Sequence, residues 1–348
     1  MSQRRYNVAV VGATGNAGMT TLQILAERKF PMENIVVVAS KNSVGKVVSC
    51  GDRILKINDI SEIDFSKFDL AIFCAGSAVS AKYAENVTKS GCCIIDKTSH
   101  FRFDPHVPLI VPEVNGDMLQ KGAQGIISTP NCVATPLSVS LKALSNINTI
   151  RRIVVSTYQS VSGAGKKAIE ELYSQTKNVI SALKNSNEVF PKQIAFKVIP
   201  LIGDLNSGVS GEEEKISREI CKILKLPIRV AVTCVRVPVF IGHAMSVACE
   251  FENPMKLHDV YDAFNNMEGL VVVDRRDRNN GFSTPMDVQG EDGIHISRVR
   301  KDTTVENGVL YWIACDNLRK GAALNSVQIA ETMIKIDPTL GIFKSKVK

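Results

Sequence analysis

The chain has 348 residues, of which 45% are hydrophobic, so it is long enough for about two globular domains with well-formed cores. Its 42 Lys and Arg residues against 35 Asp and Glu residues give a formal net charge of +7, but the basic residues are scattered along the chain. This distribution suits anionic small molecules. It argues against nucleic-acid binding, since no basic arm, RNP-type aromatic motif or Cys/His finger spacing accompanies it.

The cysteines and the N-terminal segment indicate the cellular compartment in which the protein is expected. Nine cysteines without a C-x-x-C pair are typical of reduced thiols rather than of a disulfide framework. A glycine-rich turn interrupts the first apolar run before a secretory signal could develop, and no apolar stretch reaches the length of a membrane span. The five histidines lack metal-ligand spacing. We therefore expect a cytoplasmic protein without a membrane segment or a metal.

Short apolar runs alternate with helical periodicity in the first third of the chain. The predicted strands are 7–11, 35–39, 70–74 and 92–95, and the predicted helices are 18–28 and 78–89. Continuously apolar strands between helices predict a parallel sheet that is covered on both faces. The fold class is therefore predicted to be α/β, with a Rossmann-like first domain.

A glycine-rich turn joins the first predicted strand to the first predicted helix. Residues 12–18 read G-A-T-G-N-A-G, a G-x-x-G-x-x-G variant of the dinucleotide fingerprint. Main-chain N–H groups at such a turn can bind a pyrophosphate, although a glycine-rich turn can also be purely structural. We predict dinucleotide binding, with contacts from Gly12, Thr14, Gly15, Asn16 and Ala17.

The end of the second predicted strand bears on the choice between NAD and NADP. No Asp or Glu follows Ala39, where NAD-selective domains usually hold the ribose 2′-hydroxyl. Ser40, Lys41, Asn42 and Ser43 instead offer hydroxyl, ammonium and amide donors. These donors predict contact with a 2′-phosphate and therefore NADP as cofactor, the alternative being an ordinary polar turn.

Cys132 follows a short apolar strand and precedes a predicted helix at 137–144. A helix N-terminus favours a thiolate through its dipole and its unpaired N–H groups. A buried structural role is the usual alternative for any one of nine cysteines. The position makes Cys132 a candidate nucleophile.

The pattern of apolar and polar residues changes after residue 131. Segments 229–237 and 244–251 read as longer strands with partial apolar and polar alternation, which predicts a mostly antiparallel sheet with one exposed face. A last helix at about 322–336 is expected to pack on the first domain. We therefore predict a dinucleotide-binding domain from 1–131 completed by 322–348, and a second, α+β domain at 132–321.

Several motifs follow one another in a fixed order. They are G-A-T-G-x-x-G from Gly12, P-N-C ending at Cys132, Y-Q-x-V-S-G-A-G from Tyr158, E-x-x-K from Glu212, C-V-R-x-P from Cys234, and His243. This set resembles the aspartate-semialdehyde dehydrogenase family, in its NADP-dependent bacterial type. The similarity covers nearly the whole chain and includes Phe101-Arg102 and the late segment 316–323.

The resemblance implies a reaction and the residues that perform it. Cys132 would attack the acyl phosphate of L-aspartyl 4-phosphate, and NADPH would reduce the resulting thioester to L-aspartate 4-semialdehyde, a step of aspartate-family amino-acid and diaminopimelate biosynthesis. A thiolate is a strong nucleophile, and a thioester accepts hydride better than a carboxylate does. His243 would be the acid/base partner and Gln159 would orient the substrate. From its position after Ile241-Gly242, we expect His243 in a loop at a strand end.

The same resemblance implies the binding residues. Arg236 would hold the substrate carboxylate through its planar fork. Glu212, which shares a helix face with Lys215, would meet the substrate ammonium, the alternative for this pair being a surface ion pair. Lys215, Arg102 and Asn131 would surround the phosphate, whereas Ser162, Gly163 and Asn317 would contact the nicotinamide. A homodimer is also implied.

The sequence departs from the family pattern at two places. Asn42 stands where the family often has arginine, and residues 95–99 read I-D-K-T-S rather than I-D-N-S-S.

Two rival functions remain open. An N-acetyl-glutamyl-phosphate reductase would share the thiol chemistry. Glu212 argues against it, because a carboxylate is the counter-charge that a substrate with a free ammonium needs. A noncatalytic NADP-binding paralogue is disfavoured by the joint presence of Cys132, Gln159, Arg236 and His243.

Overall fold

The computed structural model describes residues 4–275 and 277–345. Packing divides the chain into two compact units, one formed by the residues up to Asn131 together with those from Ala322 onward, and one formed by 132–321. Within the described ranges, no helix is both long and apolar enough to cross a membrane.

Strands and helices alternate along the chain. The strands are β1 Tyr6–Val11, β2 Met32–Ala39, β3 Val47–Cys50, β4 Arg53–Asp59, β5 Leu70–Phe73, β6 Cys93–Asp96, β7 Ile126–Ser128, β8 Ile150–Gln159, β9 Leu205–Asn206, β10 Val209–Ser210, β11 Arg229–Arg236, β12 His243–Phe251, β13 Leu270–Val272, β14 Ile294–Asp302 and β15 Gly308–Cys315. The helices are α1 Asn16–Glu27, α2 Ser77–Lys89, α3 Pro112–Asn115, α4 Ala134–Ser145, α5 Lys166–Ile180, α6 Gly211–Leu224, α7 Leu257–Asn265 and α8 Leu324–Ile336.

The first unit contains a seven-stranded sheet in the order β3-β4-β2-β1-β5-β6-β7. All neighbouring strands are parallel except β3 and β4, which form an antiparallel hairpin. Val8 and Val10 of β1 belong to a core that includes Leu22 of α1 and Val327 of α8. Ala9 and Val11 belong to a second core, with Ala84 of α2. The sheet is thus covered on both faces, which confirms the predicted α/β Rossmann-type fold.

The second unit contains a six-stranded sheet in the order β11-β8-β12-β15-β14-β13. Its central neighbours are antiparallel, whereas the outer pairs β11–β8 and β13–β14 are parallel. Along β12, fully buried residues alternate with half-buried ones, as expected for a sheet with two unlike faces. The predicted mostly antiparallel sheet is therefore confirmed, as a mixed sheet with parallel edges.

Candidate active site

The glycine-rich turn of the first unit has the shape that a pyrophosphate requires. Gly12 has φ +86°, and a Cβ atom there would lie 2.7 Å from the main-chain nitrogen of Ala75. A Cβ on Gly18 would lie 2.2 Å from the Gly12 carbonyl oxygen, so only glycine lets α1 come this close. Gly15 precedes α1 and offers no capping side chain to the first-turn N–H groups. These features fit a dinucleotide phosphate held at a helix N-terminus.

The remaining predicted residues of this turn begin α1. Asn16 is its first residue, and the carbonyls of Asn16 and Ala17 accept hydrogen bonds from Thr20 and Thr21 at 2.9 and 2.7 Å. Thr14 is half-buried in the turn itself. The residues predicted to bind the dinucleotide therefore lie together, around the N-terminus of α1.

The polar turn after β2 is exposed. Ser40, Lys41 and Asn42 are exposed and Ser43 is half-buried, in a short 3-10 turn. Sequence reasoning missed Asp59, which ends β4 and pairs in register with Ala39 at the end of β2. Its carboxylate accepts hydrogen bonds from the Ser61 N–H at 3.0 Å and the Ser61 hydroxyl at 2.8 Å. An acidic residue thus does stand beside the end of β2, but it comes from a neighbouring strand.

Arg102 and Asn131, predicted to bind phosphate, both belong to the first unit and both are buried. The Arg102 guanidinium donates from Nε to the Thr129 carbonyl at 3.0 Å and from Nη2 to the Lys97 carbonyl at 2.8 Å. These bonds hold the guanidinium against the chain segment that leads to Asn131. Lys215, the third predicted phosphate ligand, lies in the second unit and is half-buried in the first turns of α6.

Cys132 and His243 form the centre of the second unit's site. Cys132 is half-buried and precedes α4 by two residues. The Nε2 atom of His243 lies 3.3 Å from Cys132 Sγ, although the two residues are 111 positions apart. The predicted pairing of these two residues in space is therefore present in the structure.

The expected loop position of His243 is wrong. His243 is the first residue of β12, pairs in register with Cys315 of β15 and is fully buried. Gly242 provides the turn before it, with φ +93°, and a Cβ there would lie 2.4 Å from the Pro285 carbonyl oxygen. The turn consequently ends at Gly242, and the sheet rather than a loop fixes the imidazole.

The other ring nitrogen of His243 meets a polar network. The main-chain N–H of Ser160 donates to His243 Nδ1 at 3.1 Å, and Ser160 Oγ also lies 3.1 Å from Nδ1. Asn317 Oδ1 accepts from the Gly242 N–H at 2.9 Å and from Ser160 Oγ at 3.1 Å, while its Nδ2 donates to Ser162 Oγ at 2.9 Å. In this structure Asn317 and Ser162, predicted to contact the nicotinamide, support the histidine. Sequence reasoning missed Ser160.

Burial and charge keep His243 neutral. Burial first, and then the charge of Arg236, lower the pKa of His243 to about 3, against the opposite effect of a hydrogen bond with the Gly242 main chain. At neutral pH the imidazole therefore carries a single proton.

Arg236 ends β11 beside Gln159, which ends β8 in register with it. Both side chains are buried, at 6% and 1% exposure. Arg236 Nη1 donates to the Ser160 carbonyl at 2.7 Å, and Gln159 Nε2 donates to Thr157 Oγ1 at 3.3 Å. Burial lowers the pKa of Arg236, while the nearby Cys132 and Glu212 charges raise it.

Glu212 lies in the first turn of α6 and is buried, at 9% exposure. Its electrostatic effect on Arg236 puts a carboxylate close to the guanidinium in the second unit. The adjacent Glu213 completes a capping box with Ser210 and accepts a hydrogen bond from the Cys234 N–H at 3.0 Å. That contact ties α6 to β11, and the S-x-x-E spacing in the sequence is the signal that predicts such a box.

The turn Val161–Ala164 brings main chain close to the reactive side chains. A Cβ added at Gly163 would lie 3.3 Å from Arg236 Nη1 and 3.4 Å from His243 Nε2. The second unit thus gathers Cys132, His243, Gln159, Arg236 and Gly163 at the ends of strands β8, β11 and β12.

Among the described residues, no group of three or more His, Cys, Asp or Glu side chains could hold a metal ion.

Comparison with known proteins assigns the family. A family model described as semialdehyde dehydrogenase, NAD binding domain, matches residues 7–122, and one described as semialdehyde dehydrogenase, dimerisation domain, matches residues 141–320. Aspartate-semialdehyde dehydrogenase of Rickettsia bellii is 49% identical over 334 residues, which cover 95% of this chain and 98% of that protein. The chain belongs to the aspartate-semialdehyde dehydrogenase family.

Other members of the aspartate-semialdehyde dehydrogenase family agree with this assignment. The protein of that name from Aquifex aeolicus is 41% identical, with 95% of this chain and 98% of that protein covered. The crystal structure of aspartate semialdehyde dehydrogenase II of Vibrio cholerae, complexed with ASA, superposes with a TM-score of 0.92 at 39% identity. That comparison covers 95% of this chain and 99% of the other.

Membership in the aspartate-semialdehyde dehydrogenase family establishes the broad function. The chain is an oxidoreductase of amino-acid biosynthesis with a domain for a nicotinamide dinucleotide. Its second domain belongs to a family of dimerisation domains, which supports oligomerisation.

Proposed function

We propose that this chain reduces L-aspartyl 4-phosphate to L-aspartate 4-semialdehyde with NADPH, through a thioester on Cys132. The observation that carries the proposal is the 3.3 Å approach of Cys132 Sγ to His243 Nε2, beside the buried Arg236. A nucleophile, a polar partner and a carboxylate-binding cation together match an acyl transfer from an anionic substrate.

The chain's own groups divide the chemistry among them. The Cys132 thiolate attacks the acyl carbon, the bond from that carbon to the phosphate oxygen breaks, and inorganic phosphate leaves. NADPH, when bound, would supply the hydride that reduces the thioester, and the carbon–sulfur bond would then break to release the semialdehyde and restore the Cys132 thiolate. Gln159 orients the acyl group, and His243, at the start of β12, is the acid/base partner. Arg102, Asn131 and Lys215 are proposed to bind the phosphate.

Substrate selection depends on two buried charges. Arg236 can offer the remaining edge of its guanidinium to the α-carboxylate, and Glu212 can pair with the α-ammonium. A carboxylate at the position of Glu212, which is 9% exposed, favours a substrate whose amine carries a positive charge. An N-acetylated amine would carry none, so the rival reductase activity is disfavoured.

The proposed cofactor contacts fall in both units. The turn with Gly12, Thr14, Gly15, Asn16 and Ala17 would hold the pyrophosphate, and the donors of segment 40–43 would hold a 2′-phosphate. Asp59 beside Ala39 accepts two hydrogen bonds from Ser61 through one carboxylate oxygen, and the exposed Lys41 of the turn after β2 supports NADP as the preferred cofactor. Ser162, Gly163 and Asn317 are proposed for the nicotinamide.

We further propose a homodimer formed through the second unit. Large apolar side chains that are more than half exposed occur between residues 173 and 205 of this unit, namely Tyr173, Ile180, Leu183, Phe196, Val198 and Leu205. Exposed apolar side chains in such number support a protein interface in this part of the chain. All nine cysteines are free thiols, which supports the proposed cytoplasmic location.

One assay tests the proposed function. We expect phosphate-dependent reduction of NADP⁺ with aspartate semialdehyde, and much slower turnover with N-acetyl-glutamate semialdehyde. Cys132→Ser serves as the matched control for nonenzymatic reduction. Faster turnover of the N-acetylated aldehyde would assign the rival reductase activity, and inactivity with both aldehydes would indicate a noncatalytic paralogue.

A further inference from the structure

We propose that Lys97 is a further cofactor-binding residue, whose ammonium pairs with a phosphate oxygen of the dinucleotide pyrophosphate. Lys97 lies in segment 95–99, where the sequence departs from the family pattern. Every contact that supports the proposal lies within the first unit. The proposal needs a bound dinucleotide, for which this unit has a domain, and it does not depend on the proposed choice of NADP over NAD.

Lys97 directly follows β6, at the carboxyl edge of the parallel sheet. The last residues of the neighbouring strands β1, β5 and β6 are paired in register. Gly12, Cys74 and Lys97 are therefore the first residues beyond these three strands, and the Lys97 N–H donates to the Phe73 carbonyl at 3.0 Å. Open α/β sheets bind their ligands at this edge. Lys97 thus lies on the same edge as the glycine-rich turn, two strands away.

The side chain of Lys97 reaches α1. Its Nζ atom donates to Thr21 Oγ1 at 3.5 Å, and the same hydroxyl lies 3.5 Å from Cys74 Sγ and donates to the Ala17 carbonyl at 2.7 Å. Thr21 follows Ala17 by about 6 Å along the helix axis, at roughly 1.5 Å per residue. The ammonium therefore lies about one turn from the first-turn N–H groups of α1, a distance that a flexible lysine side chain can span.

Lys97 is a half-buried cation without an acidic partner. Among the charges that act on it in the part of the chain that the structure describes, none belongs to an Asp or Glu residue. The carboxylate of the adjacent Asp96 accepts instead from Ser80 Oγ at 3.0 Å and from the N–H and hydroxyl of Thr98, both at 2.9 Å. The free protein consequently leaves the ammonium without a counter-charge.

The surroundings of Lys97 favour the binding of an anion. Burial lowers the pKa of Lys97; the charge of Cys74 opposes this effect, and the charge of Arg102 adds to it. A partly desolvated cation is costly until an anion pairs with it. A pyrophosphate at the N-terminus of α1 is such an anion, and the ammonium would add a charge-assisted hydrogen bond to the main-chain contacts there.

Calorimetric titration of the free protein tests this contact. Lys97→Met keeps the length of the side chain and removes its charge. We expect Kd for NADP⁺ and for NADPH to rise by about tenfold or more, which corresponds to the loss of one hydrogen bond to a charged group. Lys89→Met is the matched control, since it removes the same charge from an exposed position at the other end of α2, and it should bind both dinucleotides like the wild type.

Two comparisons identify the part of the cofactor that Lys97 contacts. The fragment 2′-AMP lacks the pyrophosphate and should bind to Lys97→Met as it does to the wild type. The nicotinamide ring is positively charged only in NADP⁺, so an ammonium beside the ring would disfavour that form relative to NADPH. Similar losses for both forms support the pyrophosphate contact. An unchanged Kd for the dinucleotides, a loss confined to one redox form, or an equal loss with 2′-AMP would overturn the proposal.

Thermal unfolding separates a ligand contact from a structural role. Without ligand, the melting temperature of Lys97→Met should equal or exceed that of the wild type, because the ammonium has no counter-charge there. Its rise on addition of NADP⁺ should be smaller than in the wild type. A lowered melting temperature with an unchanged Kd would make Lys97 structural. Wild type that binds NAD⁺ but not NADP⁺ would refute the proposed cofactor, and the same titrations with NAD⁺ and NADH would then test Lys97.

Discussion

The main chain of Ser160 links Arg236 to His243: its carbonyl accepts a hydrogen bond from Arg236 Nη1 at 2.7 Å, and its N–H donates to His243 Nδ1 at 3.1 Å. The main chain of one residue thus holds the Arg236 guanidinium and the His243 imidazole at the same time. Any change that moves the arginine head group will also disturb the support of the histidine.

Replacement of Arg236 separates charge from geometry. Lysine keeps the charge but loses the fork and its bond to Ser160, whereas leucine loses everything. Loss of a hydrogen bond to a charged group costs roughly 1.5 to 3 kcal/mol, so Arg236→Lys should lower kcat/KM by about 10- to 150-fold and Arg236→Leu by more. Because a misplaced substrate also misaligns its carbonyl, kcat should fall as well.

Steady-state kinetics with aspartate semialdehyde test this expectation. Arg229→Lys is the matched control, since Arg229 begins the same strand and is exposed. KM for the cofactor should stay nearly unchanged in all variants. Wild-type activity in Arg236→Lys would refute the bidentate contact, and a collapsed melting temperature in Arg236→Leu would assign Arg236 a structural role.

Cys132 should be the thiol that reacts. Cys132→Ser should abolish turnover and preserve the fold, because a serine hydroxyl does not ionise near neutral pH. Iodoacetamide should inactivate the enzyme by modifying Cys132 first, as mapped by mass spectrometry, since burial raises the pKa of Cys93 to about 12 and also raises that of Cys221. Cys221→Ser is the control and should keep wild-type inactivation kinetics. Residual turnover above a trace in Cys132→Ser would exclude the thioester route.

How well the sequence predicts a structural feature depends on how close together in the chain the residues of that feature lie. The turn at Gly12 and the helix after it lie within one short stretch, from Gly12 to Glu27, so apolar runs and glycine spacing predict the cofactor half. The hairpin of β3 and β4 is short, mixes exposed with half-buried and buried residues, and has no comparable sequence pattern.

The site of the second unit depends on distant pairing. His243 reaches Ser160 because β12 pairs with β8, and this contact joins residues 83 positions apart. Nothing in the local sequence distinguishes a histidine at a strand start from one in a loop. Asp59 was missed for the same reason, since its position beside Ala39 depends on the parallel pairing of β2 with β4.

Asn42 should weaken the preference for NADP. Its amide cannot pair with a 2′-phosphate as a guanidinium does, and the turn that carries it is exposed. We expect Asn42→Arg to lower KM for NADPH several-fold, on the order of one additional charge-assisted hydrogen bond, with KM for NADH unchanged. Asn42→Gln, which adds length without charge, is the control. An unchanged KM for NADPH would mean that this turn does not reach the ribose.

Gly163 should tolerate no side chain. A Cβ there would press on Arg236 Nη1 at 3.3 Å and on His243 Nε2 at 3.4 Å, so Gly163→Ala should displace one of them. Small misplacements in an active site are costly, and we expect kcat/KM to fall roughly 10- to 100-fold with an unchanged melting temperature. Gly116→Ala is the control, because its nearest neighbour is 3.9 Å away. Equal activity of the two variants would contradict the tight approach of this turn.

The buried neutral state of His243 should make the protein less stable in acid. The pKa of the group falls from 6.5 in the unfolded chain to about 3 in the folded one, so between these values the unfolded chain binds a proton that the folded chain does not. The contribution to stability is complete above pH 6.5 and is lost as the pH falls toward 3, at about 1.4 kcal/mol per pH unit.

Urea unfolding across this pH range measures the effect. We expect the free energy of unfolding of the wild type to fall with decreasing pH more steeply than that of His243→Gln, by about 1.4 kcal/mol per pH unit. Only the difference in slope is diagnostic, because the substitution can lower stability at every pH. His258→Gln, at an exposed position, should follow the wild-type slope. Parallel slopes for the wild type and His243→Gln would contradict the lowered pKa, because they would mean that His243 takes up its proton in the folded state as readily as in the unfolded chain.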